Sequence, residues 1–223
     1  MHAVRTSISW TKGALLACLV LLSLLMAQCS GEGREKSQYL SETELQEGDI
    51  IFQESSSPQS LAIQIATGSR YSHCGIIFSR DGRFYVYEAI QKVSWTPVED
   101  WIRRGVDAHY VLMRLKNREY LLDQPTITAM KKVGQSFAGK KYDLLFQWSD
   151  DTLYCSELVW KIYQRGAGIS LVPLHKFSDY SLNSEVVRKI IKKRYGDTLP
   201  QEEKVVAPSD LLVSPLLERV AGN

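Results

Sequence analysis

The sequence predicts one domain that mixes strands with helices, and three observations carry that reading. Two strand-like runs, Tyr71 to Ser79 and Phe84 to Ile90, flank Ser79-Arg80-Asp81-Gly82-Arg83, and Asp-Gly between such runs is a strong hairpin signal. Leu153 to Tyr163 places Leu158, Val159, Ile162 and Tyr163 at helical spacing behind Cys155, which reads as a buried helix with a thiol on its first turn. Pro125 to Phe137 and Leu182 to Tyr195 add two more amphipathic helices. The 223-residue chain shows no internal repeat or low-complexity block that would suggest a second domain.

Residues 1–28 read as an export signal. Arg5 and Lys12 precede an apolar run from Ala14 to Ala27, the length of a signal-peptide core and shorter than the roughly 18 residues a spanning helix needs. The segment ends Leu24-Leu25-Met26-Ala27-Gln28-Cys29-Ser30 and resembles a bacterial lipoprotein signal, which implies a lipid on Cys29, a polar tether over residues 29–40 and a membrane-anchored place in the cell envelope. Gln28 stands where such signals have a small residue, so cleavage by the ordinary signal peptidase, or an uncleaved anchor, stays open. The folded domain is expected over residues 41–223.

The chain carries 27 basic and 25 acidic residues, and loss of Arg5 and Lys12 with the leader would bring these into balance. No basic field marks a nucleic-acid binder, and Arg188, Lys189, Lys192, Lys193 and Arg194 read as the solvated face of one helix. The cysteine spacing fits neither a disulfide scaffold nor a metal site, and no cofactor is called for.

Along the chain, Leu45 to Phe52 reads as a turn and a buried strand, and Ser60 to Thr67 as a short helix with Leu61 and Ile65 inward and Ile63 as a further candidate for that face, stopped by Gly68. The hairpin fixes a register. With Asp81 and Gly82 as the turn, Arg80 pairs with Arg83, Ile77 with Val86 and Gly75 with Glu88, so His73 and Glu88 share a face and lie diagonally, with side-chain-free Gly75 between them. A one-residue change of turn would send Glu88 to the other face. Cys74 is expected on the face opposite His73 and outside the site. Alone, His73 is an ordinary strand histidine and Glu88 an edge carboxylate. Together, with Glu88 in the apolar setting Val86-Tyr87-Glu88-Ala89-Ile90 where an unpaired carboxylate is costly, they supply a base and an orienter. A free cysteine is most often a small core residue. Cys155 becomes a candidate nucleophile because a helix N-terminus favours thiolate over thiol and because the other two members of a cysteine-hydrolase triad are present.

Gly48-Asp49-Ile50-Ile51-Phe52, Ser72-His73-Cys74-Gly75-Ile76, Tyr87-Glu88-Ala89 and Tyr154-Cys155-Ser156-Glu157-Leu158-Val159 occur in an order that resembles the circularly permuted branch of the NlpC/P60 superfamily, the YiiX-like papain-fold cysteine hydrolases. The resemblance runs from Leu45 to the Pro208-Ser209-Asp210-Leu211 segment. It implies an α+β, circularly permuted papain-like fold, an antiparallel sheet packed against the nucleophile-bearing helix. By matching positions it implies Cys155 as nucleophile, His73 as general base and then acid, and Glu88 as the group that holds the imidazole. Tyr154, Ser156, Asp49 and Tyr142 are candidate substrate-binding positions, although Asp49 also suits a turn cap and Tyr154 the core. Many cell-wall peptidases of the better-known branch have Asp-Cys-Ser-Gly at the nucleophile, and in several the aspartate holds the substrate amine; Tyr154 and Glu157 depart from that pattern.

The expected function is an exported cysteine hydrolase that cleaves an amide through a thioester, on a small peptide, cell-wall-derived or not, or on an amino-acid amide. A lipid acyl hydrolase or acyltransferase using the same thiol is the alternative, and a non-catalytic envelope binding protein the second. His109 reads as a structural strand residue, His175 as a loop residue without support, and Trp95, Trp101, Phe146 and Trp148 as core aromatics.

Overall fold

The computed structural model describes Leu40 and residues 44–223. The leader, Cys29 and the tether up to residue 39 lie outside the described residues.

The hairpin forms in the expected register. Strand β2 (His73–Arg80) pairs antiparallel with β3 (Arg83–Ala89), with Ile77 opposite Val86 and Arg80 opposite Arg83. Asp81 and Gly82 both take positive φ, 52° and 74°, as the two central residues of a type I′ turn do; glycine accepts that conformation without penalty. β1 (Ile50–Gln53) lies on the other side of β2 with Phe52 opposite Cys74. Two strands not singled out in the sequence flank these, β4 (Val93–Pro97) beside β3 and β6 (Leu217–Gly222) beside β5 (Tyr110–Leu115). The sheet order is β4-β3-β2-β1-β5-β6.

Both faces of the central strands are covered, which is why β1 and β2 read as near-continuous apolar runs rather than alternating ones. On one face Ile50, Phe52, Ile76, Phe78 and Tyr87 pack with residues of helices α4 (Gln124–Ser136) and α5 (Cys155–Ala167). On the other, Ile51, Ile77, Val86 and Leu112 pack with Val98, Trp101 and Ile102 of the short helix α2 (Val98–Arg104). Helix α3 (Arg118–Leu121) links the sheet to α4.

α5 begins where the sequence places it. Glu157 reaches back to accept a bond from the Tyr154 N–H at 3.3 Å, offsetting one of the unpaired donors of the first turn. Gly168, in the left-handed conformation at φ 71°, ends the helix with its N–H on the Gln164 carbonyl. Lys161, almost fully buried, is bonded by Glu157 at 2.7 Å and Asp150 at 2.9 Å, fastening the preceding loop to the helix.

α1 (Pro58–Thr67) and α6 (Glu185–Tyr195) pack on each other at the rim. Here the expected inward face is corrected: Leu61 is exposed, while Ser60 and Ala62 are buried and Ile63 faces a cleft shared with α6. The helix lies beside an opening and not on the core, so its apolar residues line the opening. Ser184 caps α6, accepting from the Val187 N–H at 3.2 Å, so that helix starts at Glu185 and not at Leu182.

The α4–α5 crossing depends on Gly166, where an added Cβ would stand 2.5 Å from the Met130 Cα and 2.9 Å from its backbone N. Neither backbone atom can swing aside. Gly166→Ala is expected to lower stability by about 1–3 kcal/mol, read as a lower denaturant midpoint at unchanged m-value; an unchanged or raised midpoint would contradict this packing.

Candidate active site

His73 opens β2 and Glu88 stands near the end of β3, so the register alone sets them diagonally across the hairpin. A Cβ on Gly75 would lie 2.3 Å from Val86 Cγ1 and 3.3 Å from Glu88 Cβ, which shows how closely the two strands' side chains crowd that point. The His73 Nε2 and Glu88 Oε2 are 2.5 Å apart.

Glu88 is fully buried and accepts from three further side chains. Thr96 Oγ1 donates to Oε1 at 2.6 Å, Trp101 Nε1 donates to Oε2 at 2.9 Å, and the Arg104 guanidinium reaches both oxygens, at 2.9 and 2.6 Å. Burial works against this carboxylate, yet His73 and Arg104 outweigh it and bring its pKa down to about 2. The Trp101 ring also stacks on the imidazole, with centroids 5.9 Å apart at 26°.

With Nε2 engaged by Glu88, Nδ1 of His73 is left for Cys155. Burial disfavours the imidazolium, but the Cys155 thiolate and Glu88 overcome it and raise His73 to about 9. Cys155 moves the other way. Hydrogen bonding from the Cys74 thiol holds its pKa well below the ordinary thiol range; burial opposes this, and His73 and the Cys74 N–H add to it. Cys74 itself is pushed well up by burial and stays a thiol donor.

The expectation for Cys74 is therefore half corrected. It does point to the face opposite Ile77 and Val86, but α5 packs on that face, so Cys74 meets the Cys155 sulfur there. His73 reaches the same sulfur because it sits at the strand's end, where the sheet no longer separates the two faces.

Cys155 opens onto a cleft of about 800 Å³ including its mouth, walled by α1, α6, the 142–156 segment and residues 205–208. Its lining is mostly aliphatic and aromatic, with no carboxylate among the lining residues. Tyr142 borders the cleft, and its hydroxyl accepts from Gln59 Nε2 at 2.8 Å. Tyr154 also borders it, but its hydroxyl accepts from the Val206 N–H at 3.2 Å and its ring meets Phe146 edge-on at 5.1 Å. It is both a core tyrosine and a wall.

Two of the candidate binding residues have their polar groups engaged within the fold. Asp49 lies away from the cleft, its carboxylate held by Arg114 at 2.7 Å through both oxygens and capping the Gln46 N–H at 2.9 Å; the turn-cap reading is the one the fold adopts. Ser156 touches the cleft, but its hydroxyl donates to the Val206 carbonyl at 2.7 Å, which commits it to holding the 205–208 segment. His109 pairs with the Tyr71 hydroxyl at 3.1 Å, and His175 lies half-exposed beside Asp179; neither borders the cleft.

Sequence reasoning missed Thr96, Trp101 and Arg104 around Glu88, Cys74 beside the thiol, and Gln59 and Arg194 on the cleft wall. Trp101 and Arg104 are one helical turn apart on α2, and that spacing on a helix following the hairpin is the signal that was there to be read. For Cys74 and Arg194 no local pattern exists, because their roles arise from elements distant in sequence.

Residues 44–221 match the family model described as the permuted papain-like amidase enzymes, YaeF/YiiX, C92 family. The chain is 42% identical over 176 residues to the uncharacterized protein YiiX of Escherichia coli K12, a match that takes in 79% of this chain and 86% of that protein. A crystal structure of the metalloprotein YiiX from Escherichia coli O157:H7 superposes with a TM-score of 0.76 at 40% identity, covering 81% of this chain and 98% of the other. The match spans the whole sheet, the cysteine-headed helix and the cleft, and the chain belongs to the permuted papain-like amidase family, whose members are papain-like cysteine amidases and peptidases.

Proposed function

We propose that Cys155 cleaves an amide bond through a thioester, with His73 as proton carrier and Glu88 as its anchor, and that the acyl side of the substrate is apolar. The observation that carries this reading is the buried Cys155–His73–Glu88 line, in which every polar group has a stated partner. The Cys155 thiolate adds to the amide carbonyl. The Cys155 N–H, unpaired at the start of α5, and the Tyr142 hydroxyl stabilise the oxyanion. Tyr142 is suited to this because Gln59 occupies its oxygen as a donor, leaving its own proton to give, and because burial, helped by the nearby thiolate, keeps it protonated. His73 Nδ1–H then gives its proton to the departing nitrogen as the C–N bond breaks and the thioester remains. Water, deprotonated by the now neutral His73, attacks the thioester, releases the acid and restores the ion pair.

The cleft walls favour an apolar acyl group over a cell-wall stem peptide. No lining carboxylate is present to meet a free amine, and Tyr154 fills the position where wall peptidases carry one. The same walls favour a second reading, in which the thiol acts on lipid acyl esters or transfers the acyl group. Loss of chemistry is disfavoured by the intact triad. We propose export and a lipid on Cys29 from the leader sequence alone. One relative is a metalloprotein; among the described residues of this chain no three His, Cys, Asp or Glu side chains are grouped to hold a metal, so the donor set does not fit one and no step is derived through it.

Cys155→Ala is expected to abolish both labelling by iodoacetamide and hydrolysis of acyl amides and acyl esters, monitored by mass spectrometry; retained turnover would remove Cys155 from the mechanism. The relative rates on a matched amide and ester by the wild type decide between the two readings.

The ion pair has a pH signature. Cys155 is thiolate well below the usual thiol range and His73 stays charged to about 9, so amide cleavage should fall as pH passes about 9, when the imidazole loses the proton it must donate. The alkylation rate of Cys155 should already be on its plateau near neutral pH. Cys74→Ala removes a hydrogen-bond donor to the Cys155 thiolate and should move the alkylation midpoint upward; an unmoved midpoint would contradict the Cys74–Cys155 contact.

A further inference from the structure

We infer that Arg194 is an anion anchor in the cleft and that the substrate is an N-acyl amino acid, an apolar acyl chain joined by an amide to an amino acid with a free carboxylate. This inference rests on the thiol-amidase reading given above. Arg194 belongs to the last turn of α6, where basic side chains ordinarily reach solvent or the helix's own terminal carbonyls. Its neighbours Lys192 and Lys193 are exposed, as the solvated-face reading expects, but Arg194 turns inward. It is half-buried, lines the cleft, donates from Nη2 to Gln59 Oε1 at 2.5 Å, and lies 5.5 Å from the centroid of the Phe146 ring.

Three features make this an anchor. Arg194 is the one basic side chain among the lining residues, and no acidic side chain stands among them. Among the described residues no carboxylate pairs with it within ion-pair distance, whereas eleven other lysines and arginines have such a partner. A guanidinium has five N–H donors, and the one bond recorded goes to a neutral amide, so most of its fork is left for a carboxylate, which it binds bidentately.

The position of the charge sets the position of the carboxylate. Gln59 accepts from Arg194 and donates to Tyr142, and Tyr142 is close enough to Cys155 for the thiolate to act on its hydroxyl. Arg194 is thus joined to the reacting centre through two side chains. In an N-acyl amino acid the carboxylate carbon lies two bonds beyond the scissile nitrogen, near the carbonyl that Cys155 attacks, while the acyl chain is free to lie along Ile63, Leu182 and Ile190. Hydrolysis would release the fatty acid and the free amino acid, with one water consumed.

N-dodecanoylglycine and N-dodecanoylglycinamide share the chain and the scissile bond and differ in the negative charge. Wild type should favour the carboxylate by about tenfold or more in kcat/KM, as a charge-assisted bond predicts. In Arg194→Gln that ratio should collapse toward one, and in Arg194→Lys part of it should return. Cleavage of both amides without preference, or a ratio that survives Arg194→Gln, overturns the anchor while leaving the amidase reading standing. If neither amide is cleaved, calorimetric binding of N-dodecanoylglycine to Cys155→Ala and to Cys155→Ala/Arg194→Gln reads the anchor alone: weaker binding to the double variant supports it, and equal binding or none overturns it. Failure of iodoacetamide to label Cys155 would instead overturn the amidase reading itself.

Discussion

Glu88 is a charged group with no access to water, and the site is built around that fact. An isolated buried carboxylate would take up a proton to avoid the loss of hydration. This one remains charged because Arg104, Trp101, Thr96 and His73 all donate to it. The arrangement does two things to His73. It fixes the ring with Nδ1 turned toward the thiol, and its negative charge adds to that of the Cys155 thiolate in keeping the ring protonated against its own burial. Removing a partner from a buried pair costs far more than an exposed pair contributes, on the order of 3–5 kcal/mol, so the parts of the triad depend on α2 as much as on each other.

The sheet divides the labour. The face covered by α2 holds Glu88, the proposed orienter, and the face covered by α4 and α5 holds Cys155, the proposed nucleophile. A residue in the middle of β2 could serve only one of these faces. His73, at the first position of the strand, serves both, and Cys74 next to it meets the sulfur from the nucleophile's side. The cleft is walled by elements outside this core: α1 and α6 stand at the rim, largely apolar toward the opening, with Arg194 as the one basic residue they place in its lining.

Much of this was legible in the sequence where local rules decide. Asp81-Gly82 permits a tight two-residue turn, the turn fixes the register, and the register puts His73 and Glu88 together. The helix behind Cys155 was equally plain from its spacing. What could not be read depends on packing between distant elements. Cys74 was assigned correctly to its face, but which helix covers that face is a tertiary fact. Arg194 follows the pattern of a solvated basic helix face and departs from it because α1 offers Gln59 across the opening. Asp49 sits in a motif that carries the family resemblance, and its carboxylate is taken up by Arg114, sixty-five residues away in sequence.

The chemistry rests on His73 being an imidazolium paired with the Cys155 thiolate and held by Glu88, and titration of the His73 ring followed by NMR reads that state. A pKa of about 9 is expected in the wild type, falling when Cys155 is replaced by alanine and the thiolate is lost. A ring that is neutral at pH 7 in the wild type, as burial alone would make it, would contradict the ion pair.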